Sequence, residues 1–316
     1  MTYTKLGTTD LEVSTVGMGT WAIGGDFWGA VDDERSIRAI QAGLDAGITL
    51  IDTAPAYGAG HSEEVVGRAI KGRRDSVVVA TKVGVVRHPD SFERTLKPES
   101  VRKEIEDSLR RLDVDTIDLY QIHWPDPDTP LEDTMEVLLK AQEAGKFRYL
   151  GVSNFSVELM EEAKRFGEVV SLQPHYSLLK RDIEEEIVPY CEKNSIGILN
   201  YGTLAAGILT GKFRELPEFD EGDNRANFYP WFRESVWDNV QRLVDVLRAI
   251  ADERGIPVAH VAIAWTIQQP GITTALVGAK NAEQAESNAA AGDVRLSQKE
   301  LDRIEAGYRE HFAPVA

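Results

Sequence analysis

From near its start almost to its end, the chain alternates short apolar runs of strand length with longer amphipathic runs that have helical spacing. Strand-like runs fall near 15–19, 48–52, 76–81, 116–122, 148–152, 169–173, 196–201 and 273–277. Helical ones lie between them, at Asp33–Ala46, Ser62–Ile70, Pro98–Arg111, Pro130–Ala144, Ser156–Phe166 and Ile183–Lys193. Strands separated by helices pair in parallel through crossovers, and eight such strands predict an α/β chain closed as a (β/α)8 TIM barrel. Residues 2–13, two short strand-like pieces about the turn Gly7-Thr-Thr-Asp10, predict an N-terminal β-hairpin that closes the barrel floor. The regularity breaks at 202–234, a long loop between strands seven and eight, where Phe228, Tyr229, Trp231 and Phe232 stand without periodicity. Such a loop is functional or disordered, and its aromatic residues argue for order and for contact with a ligand.

In this architecture the C-terminal strand ends and the loops beyond them build the site. Asp52 follows the run Ile48–Ile51, Lys82 follows Val77–Ala80, His123 follows Ile117–Ile122, and Tyr57 lies in the turn Thr53-Ala-Pro-Ala-Tyr-Gly58. A carboxylate, an ammonium, an imidazole and a phenol therefore converge at one mouth. A free phenol, with a pKa of about 10, is a weak acid at neutral pH. A nearby ammonium would favour its phenolate, and Asp52 would hold Lys82 in place. A neutral His123 could orient the carbonyl oxygen that the phenol protonates. Such a site can deliver a proton but needs a second reagent for the electrons. On spacing alone Asp52 and Lys82 also read as a structural ion pair, and Ser153-Asn154 as a helix N-cap.

The net charge of −17, from 52 acidic and 35 basic residues, repels nucleic acid and anionic lipid, which argues against both as partners. A phosphate ligand would then need local cations, for which Lys212, Arg225 and Lys280 are the candidates. No apolar run reaches 18 residues and no secretion signal is present, so a cytoplasmic protein is expected, with 1–316 as one domain. Cys191, the single cysteine, excludes an internal disulfide and a thiolate metal cluster and reads as a buried apolar residue. The histidines have no metal-binding spacing, and no metal is expected. Gly17-Met-Gly19-Thr-Trp-Ala22 matches a dinucleotide fingerprint formally, but no helix begins within it. Gly207-Ile-Leu-Thr-Gly-Lys-Phe213 is one residue too short for a phosphate loop and lacks the hydroxyl after its lysine. A nucleotide would have to use the barrel mouth.

Several segments carry a resemblance. They are Gly17-Met-Gly-Thr-Trp21, Ile51-Asp-Thr-Ala-Pro-Ala-Tyr-Gly58, Ala80-Thr-Lys82, Asp118-Leu-Tyr-Gln-Ile-His123, Gly151-Val-Ser-Asn-Phe155, Leu172-Gln-Pro-His-Tyr-Ser177, Gly207-Ile-Leu-Thr-Gly-Lys212 and Gly278-Ala-Lys280 with Gln284 and Asn288. In this order the chain resembles the aldo-keto reductase superfamily, in particular its bacterial oxidoreductase and general-stress branch. The resemblance implies NADPH-dependent reduction of aldehydes and ketones, with Asp52, Tyr57, Lys82 and His123 catalytic. It implies a nicotinamide held by Ser153, Asn154 and Gln173 and stacked on Tyr201. Further cofactor contacts would come from Gly19, Thr20, Trp21, Asp52, Gly202, Leu204, Ala205, Gly207, Lys212, Arg225, Gly278, Gln284 and Asn288, with Lys280 on the 2′-phosphate of NADPH. Trp21, Trp28, Tyr57, His123 and Trp124 would wall a pocket for a small carbonyl substrate, and family precedent favours a monomer. The same family includes potassium-channel β subunits, so a nucleotide-holding redox sensor or accessory subunit is the alternative.

Overall fold

The computed structural model describes residues 1–25, 28–29, 31–88, 91–219 and 223–312. Two short strands, β1 (Tyr3–Lys5) and β2 (Glu12–Ser14), pair antiparallel as the expected hairpin. Then β3 (Val16–Gly19), α1 (Asp33–Asp45), β4 (Leu50–Asp52), α2 (His61–Ile70) and β5 (Val78–Val83) begin the alternation. A second hairpin follows, β6 (Val85–Arg87) with β7 (Phe92–Arg94), which the sequence pattern had not suggested. The alternation resumes with α3 (Pro98–Leu112), β8 (Ile117–Ile122), α4 (Leu131–Glu143), β9 (Phe147–Ser153), α5 (Val157–Lys164), β10 (Ser171–Gln173), α6 (Ile187–Asn194) and β11 (Gly197–Asn200). The chain ends through α7 (Arg225–Phe228), α8 (Glu234–Arg254), α9 (Val258–Ile267), β12 (Ile272–Gly278), α10 (Ala282–Ala290) and α11 (Gln298–His311).

The strands close in the order β3-β4-β5-β8-β9-β10-β11-β12, every neighbouring pair parallel. This is the (β/α)8 barrel that the alternation predicted. Leu50, Ala80, Leu119, Val170, Leu199 and Leu276 form one buried cluster with Leu6, Leu11 and Val13 of the hairpin region, so the first hairpin plugs the N-terminal end. Gly7 has φ +54°, and a β-carbon there would lie 2.4 Å from the Val170 carbonyl oxygen and 2.8 Å from that of Ser195. Only glycine lets the turn sit so close beneath the strands.

A larger cluster joins strands to helices and includes Trp265 on α9 and the buried free Cys191 on α6, whose thiol burial pushes up to about 12. The 202–234 segment is less irregular than its sequence suggests. It contains a 3₁₀ stretch, Ala205–Thr210, and α7, and Phe213, Phe219, Phe232 and Trp237 pack ring on ring along it; residues 220–222 lie outside the described residues. Among the described residues no helix is long and apolar enough to cross a membrane.

Candidate active site

Asp52 ends β4 and Lys82 lies one residue before the end of β5, and both side chains are buried at the mouth. An ammonium has three protons to donate, and Lys82 Nζ directs them to Asp52 Oδ2 at 2.7 Å, the Thr53 carbonyl at 2.9 Å and Tyr57 Oη at 3.2 Å. The other Asp52 oxygen accepts from Gln173 Nε2 at 2.7 Å and Gln121 Nε2 at 3.3 Å. Lys82 and Asp52 are thus an ion pair, as one reading had it, and they also hold the phenol. Since Tyr57 Oη accepts from Lys82 and, among the described residues, finds no acceptor for its own proton, that proton is left to a ligand.

Tyr57 is held by an approach of two backbones. A β-carbon on Gly58 would fall 2.2 Å from the Gly24 carbonyl oxygen, and one on Gly24 would fall 2.7 Å from the Tyr57 carbonyl carbon. These two glycines let the turn after β4 lie against the turn after β3. Trp21, on the latter, stacks beside Tyr57 with ring centroids 6.1 Å apart. Thr20 pins that turn by donating its N–H and Oγ1 to the Asp52 carbonyl, at 3.0 and 2.9 Å.

The electrostatics differ from the sequence expectation in one respect. Burial and then the Asp52 carboxylate push the Tyr57 phenol well above its ordinary 10. Burial also lowers Lys82 against the opposing pull of Asp52. Burial and Asp52 together outweigh the Lys82 N–H that reaches Tyr57 Oη at 3.2 Å. Burial, with Lys82 and Arg94 adding repulsion, holds His123 well below its ordinary 6.5. Its ring stands edge-on to Tyr57 at 5.9 Å, and its buried Nδ1 has no partner among the described residues. The centre holds a protonated phenol beside a neutral imidazole.

Along the next three strand ends, Ser153 Oγ donates to the Gln173 carbonyl at 2.8 Å, and Asn154 Nδ2 donates to the His123 carbonyl and to Ser153 Oγ, each at 3.0 Å. Tyr201 Oη donates to Asn154 Oδ1 at 3.0 Å. Neither Ser153 nor Asn154 caps α5. Ser156 does, accepting from Leu159 N–H, while Asn154 is in left-handed backbone at φ +61°. Gln173 turns its amide nitrogen to Asp52, not outward. His175 stacks on Tyr201 at 5.0 Å and is itself wedged by Tyr229 and Trp231.

Opposite this arc the backbone runs left-handed through Ala205, Ala206 and Gly207, with φ +46°, +57° and +94°, a conformation that costs an alanine roughly 1–2 kcal/mol. Leu204 precedes that bend, and Lys212 Nζ lies over the Phe213 ring. Arg225 makes an ion pair with Asp223 at 2.5 Å, donates to the Ala206 carbonyl at 3.3 Å and faces the rings of Trp28 and Phe219. Lys280 Nζ donates to the Trp28 carbonyl, and Trp28 bridges Asp223, so a strap from the 202–234 segment meets the β3 loop across the mouth. Gln284 Oε1 accepts from Lys280 N–H at 2.8 Å and Asn288 Nδ2 donates to the Gly278 carbonyl at 3.1 Å, both shaping the turn before α10. Gly278 pairs with Gly19 across β12 and β3. Burial and then Arg225 and Lys280 lower Lys212, with Asp223 opposing. Three cations crowded about one carboxylate, in a chain of net charge −17, fit an anion such as a phosphate.

At the same mouth Trp28 stands edge-on to Trp21 at 5.4 Å, and Phe228 edge-on to Trp21 at 6.2 Å. Trp124 lies beyond His123 under the Arg94 guanidinium, 4.2 Å from the ring centroid. Among the described residues no cluster of histidine, cysteine or carboxylate fits a metal. Sequence reasoning did not single out Gln121, His175 or Arg94. Gln121 and His175 lie within segments that carried the resemblance but had no role assigned to them, and nothing local marked Arg94.

The barrel agrees with what the chain is similar to. The model of the Aldo/keto reductase family matches residues 15–309, and the chain belongs to that family. It is 46% identical over 290 residues to the aldo-keto reductase YhdN of Bacillus subtilis, covering 91% of this chain and 87% of that one. It is 37% identical over 311 residues to the NADH-specific methylglyoxal reductase of Escherichia coli, covering 92% and 94%. Its fold matches the glycerol dehydrogenase of Gluconobacter oxydans with a TM-score of 0.91 at 39% identity, covering 99% of this chain and 97% of that one. It matches an aldo/keto reductase of Klebsiella pneumoniae, solved with NADP and acetate, with a TM-score of 0.75 at 33% identity over 96% and 94% of the chains.

Proposed function

We propose that the protein reduces aldehydes or ketones to alcohols with NADPH, and that Tyr57 is the proton donor. The observation that carries this reading is the direction of the Lys82 protons: all three have acceptors, one of them Tyr57 Oη, so the phenol proton is free for a substrate oxygen. Bound NADPH supplies a hydride to the carbonyl carbon. Neutral His123 orients the carbonyl oxygen toward Tyr57. As that oxygen gains negative charge, Tyr57 gives up its proton, and the Lys82 ammonium, 3.2 Å away, stabilises the phenolate left behind. Asp52, Gln121 and Gln173 keep Lys82 aimed. Ser153 and Asn154 would bind the nicotinamide amide, Tyr201 its ring, and the cluster of Lys212, Arg225 and Lys280 its phosphates. That third cation favours NADPH; the Klebsiella structure was solved with NADP, whereas the Escherichia coli relative is named NADH-specific.

Tyr57→Phe tests the reading. Turnover of 4-nitrobenzaldehyde or methylglyoxal should fall about 10²- to 10⁴-fold, while the NADPH dissociation constant, read by fluorescence quenching, stays within about two-fold. Turnover at the wild-type rate would end the proposal.

A further inference from the structure

The substrate side of the mouth holds a cation that carbonyl reduction does not itself require. Beyond β5 the chain turns at Gly84 and runs out and back as the β6–β7 hairpin, with Val85 opposite Arg94 and Arg87 opposite Phe92. Arg94 closes that hairpin with its guanidinium carbon over the Trp124 ring, 4.2 Å from the centroid, and Trp124 directly follows His123. The guanidinium is near enough to help depress His123. Among the described residues no carboxylate pairs with it. Glu93 turns to His88 at 3.0 Å, and Asp126 accepts from Leu96 N–H, Asp128 N–H and Thr129 Oγ1. In a chain with 52 acidic residues, a guanidinium over Trp124 with no acid partner among the described residues is available to a ligand. A guanidinium held over a ring has no N–H spent on a carboxylate, and its planar fork can grip two oxygens at once.

We infer that Arg94 is a specificity-determining residue that binds an anionic end of the substrate, so that carbonyl compounds bearing a carboxylate across a short or aromatic spacer from the reacting carbon are the preferred class. This rests on the reductase reading. With the carbonyl oxygen between Tyr57 and His123, a substrate tail that passes Trp124 meets the guanidinium. The contact is made equally in ground and transition states, so it acts on KM and leaves kcat alone.

The test compares 4-carboxybenzaldehyde with the similarly sized neutral 4-nitrobenzaldehyde, using the NADPH-loaded enzyme. Arg94→Gln should raise KM for the carboxylate about three- to ten-fold, the range for an exposed to half-exposed arginine pair. Arg94→Glu should raise it further, Arg94→Lys should rescue part, and the neutral aldehyde should stay within about two-fold throughout. Added salt should erase the wild-type advantage. Equal effects on both aldehydes, or none on either, overturn the inference. Calorimetric titration of 4-(hydroxymethyl)benzoate into the protein with NADP⁺ separates it from the reductase reading. Weaker binding in Arg94→Gln supports it, whereas equal binding in both proteins, or no binding to wild type, sinks it even if no carbonyl is turned over. Absence of all turnover alone would sink only the reductase reading.

Discussion

Burial and the Asp52 carboxylate act on the Tyr57 phenol in one direction, so the proton it must give is not lost to solvent anywhere near neutral pH. His123 moves the opposite way from its ordinary value and stays uncharged. With one group shifted above 10 and the other below 6.5, the rate of the reductive step should be level between about pH 6.5 and 10. A stopped-flow profile with a basic limb near neutrality would contradict this. The same His123 shift has a stability sign. Below 6.5 the unfolded histidine binds a proton that the folded one refuses, so stability is full above that value and falls as pH drops beneath it. Lys280 allows a second measurement. Lys280→Ala should weaken NADPH about ten-fold and NADH hardly at all. Equal losses for both would mean that it acts through its bond to the Trp28 carbonyl. The four mouth residues were legible because Asp52, Lys82 and His123 each follow an apolar run and Tyr57 lies in the turn just beyond one. Gln121 and Gln173 on Asp52 were not, because the inward aim of a strand side chain depends on register around the whole barrel.

Short elements escaped the sequence for a different reason. The β6–β7 hairpin has strands of three residues each, too few to show alternation, and the 205–210 bend draws on left-handed alanines that no propensity favours. The turn after β11 shows what such a piece carries. Gly202 has φ +76°, and a β-carbon on it would lie 2.5 Å from the His175 ring. That ring is held among Tyr229, Trp231 and Tyr201, on which it stacks. Gly202→Ala should therefore cost about 1–3 kcal/mol of stability and raise the NADPH dissociation constant as well. Melting and fluorescence titration together would check it. A lower melting point with unchanged affinity would mean that Tyr201 does not bear on the cofactor.

The barrel as an object was the most legible feature, because eight repeats of one pattern leave few other topologies. What periodicity could not show is how its two ends differ. At the floor, Gly7 nests against the carbonyls of Val170 and Ser195. Gly7→Ala should lower stability by about 2–4 kcal/mol in urea titrations yet leave kcat of the folded enzyme unchanged, since the chemistry lies at the far end. A matching loss of kcat would show that floor and mouth are mechanically coupled. The mouth divides in turn. Asp52 and Lys82 belong to strands whose Leu50 and Ala80 pack on the floor residues Leu6, Leu11 and Val13, whereas Arg94, Trp28 and Phe228 hang on segments strung between barrel strands. Exchanging the 85–94 hairpin with that of another barrel of this kind would then graft a new appetite onto an unaltered acid, and breeding for novel substrates can begin there.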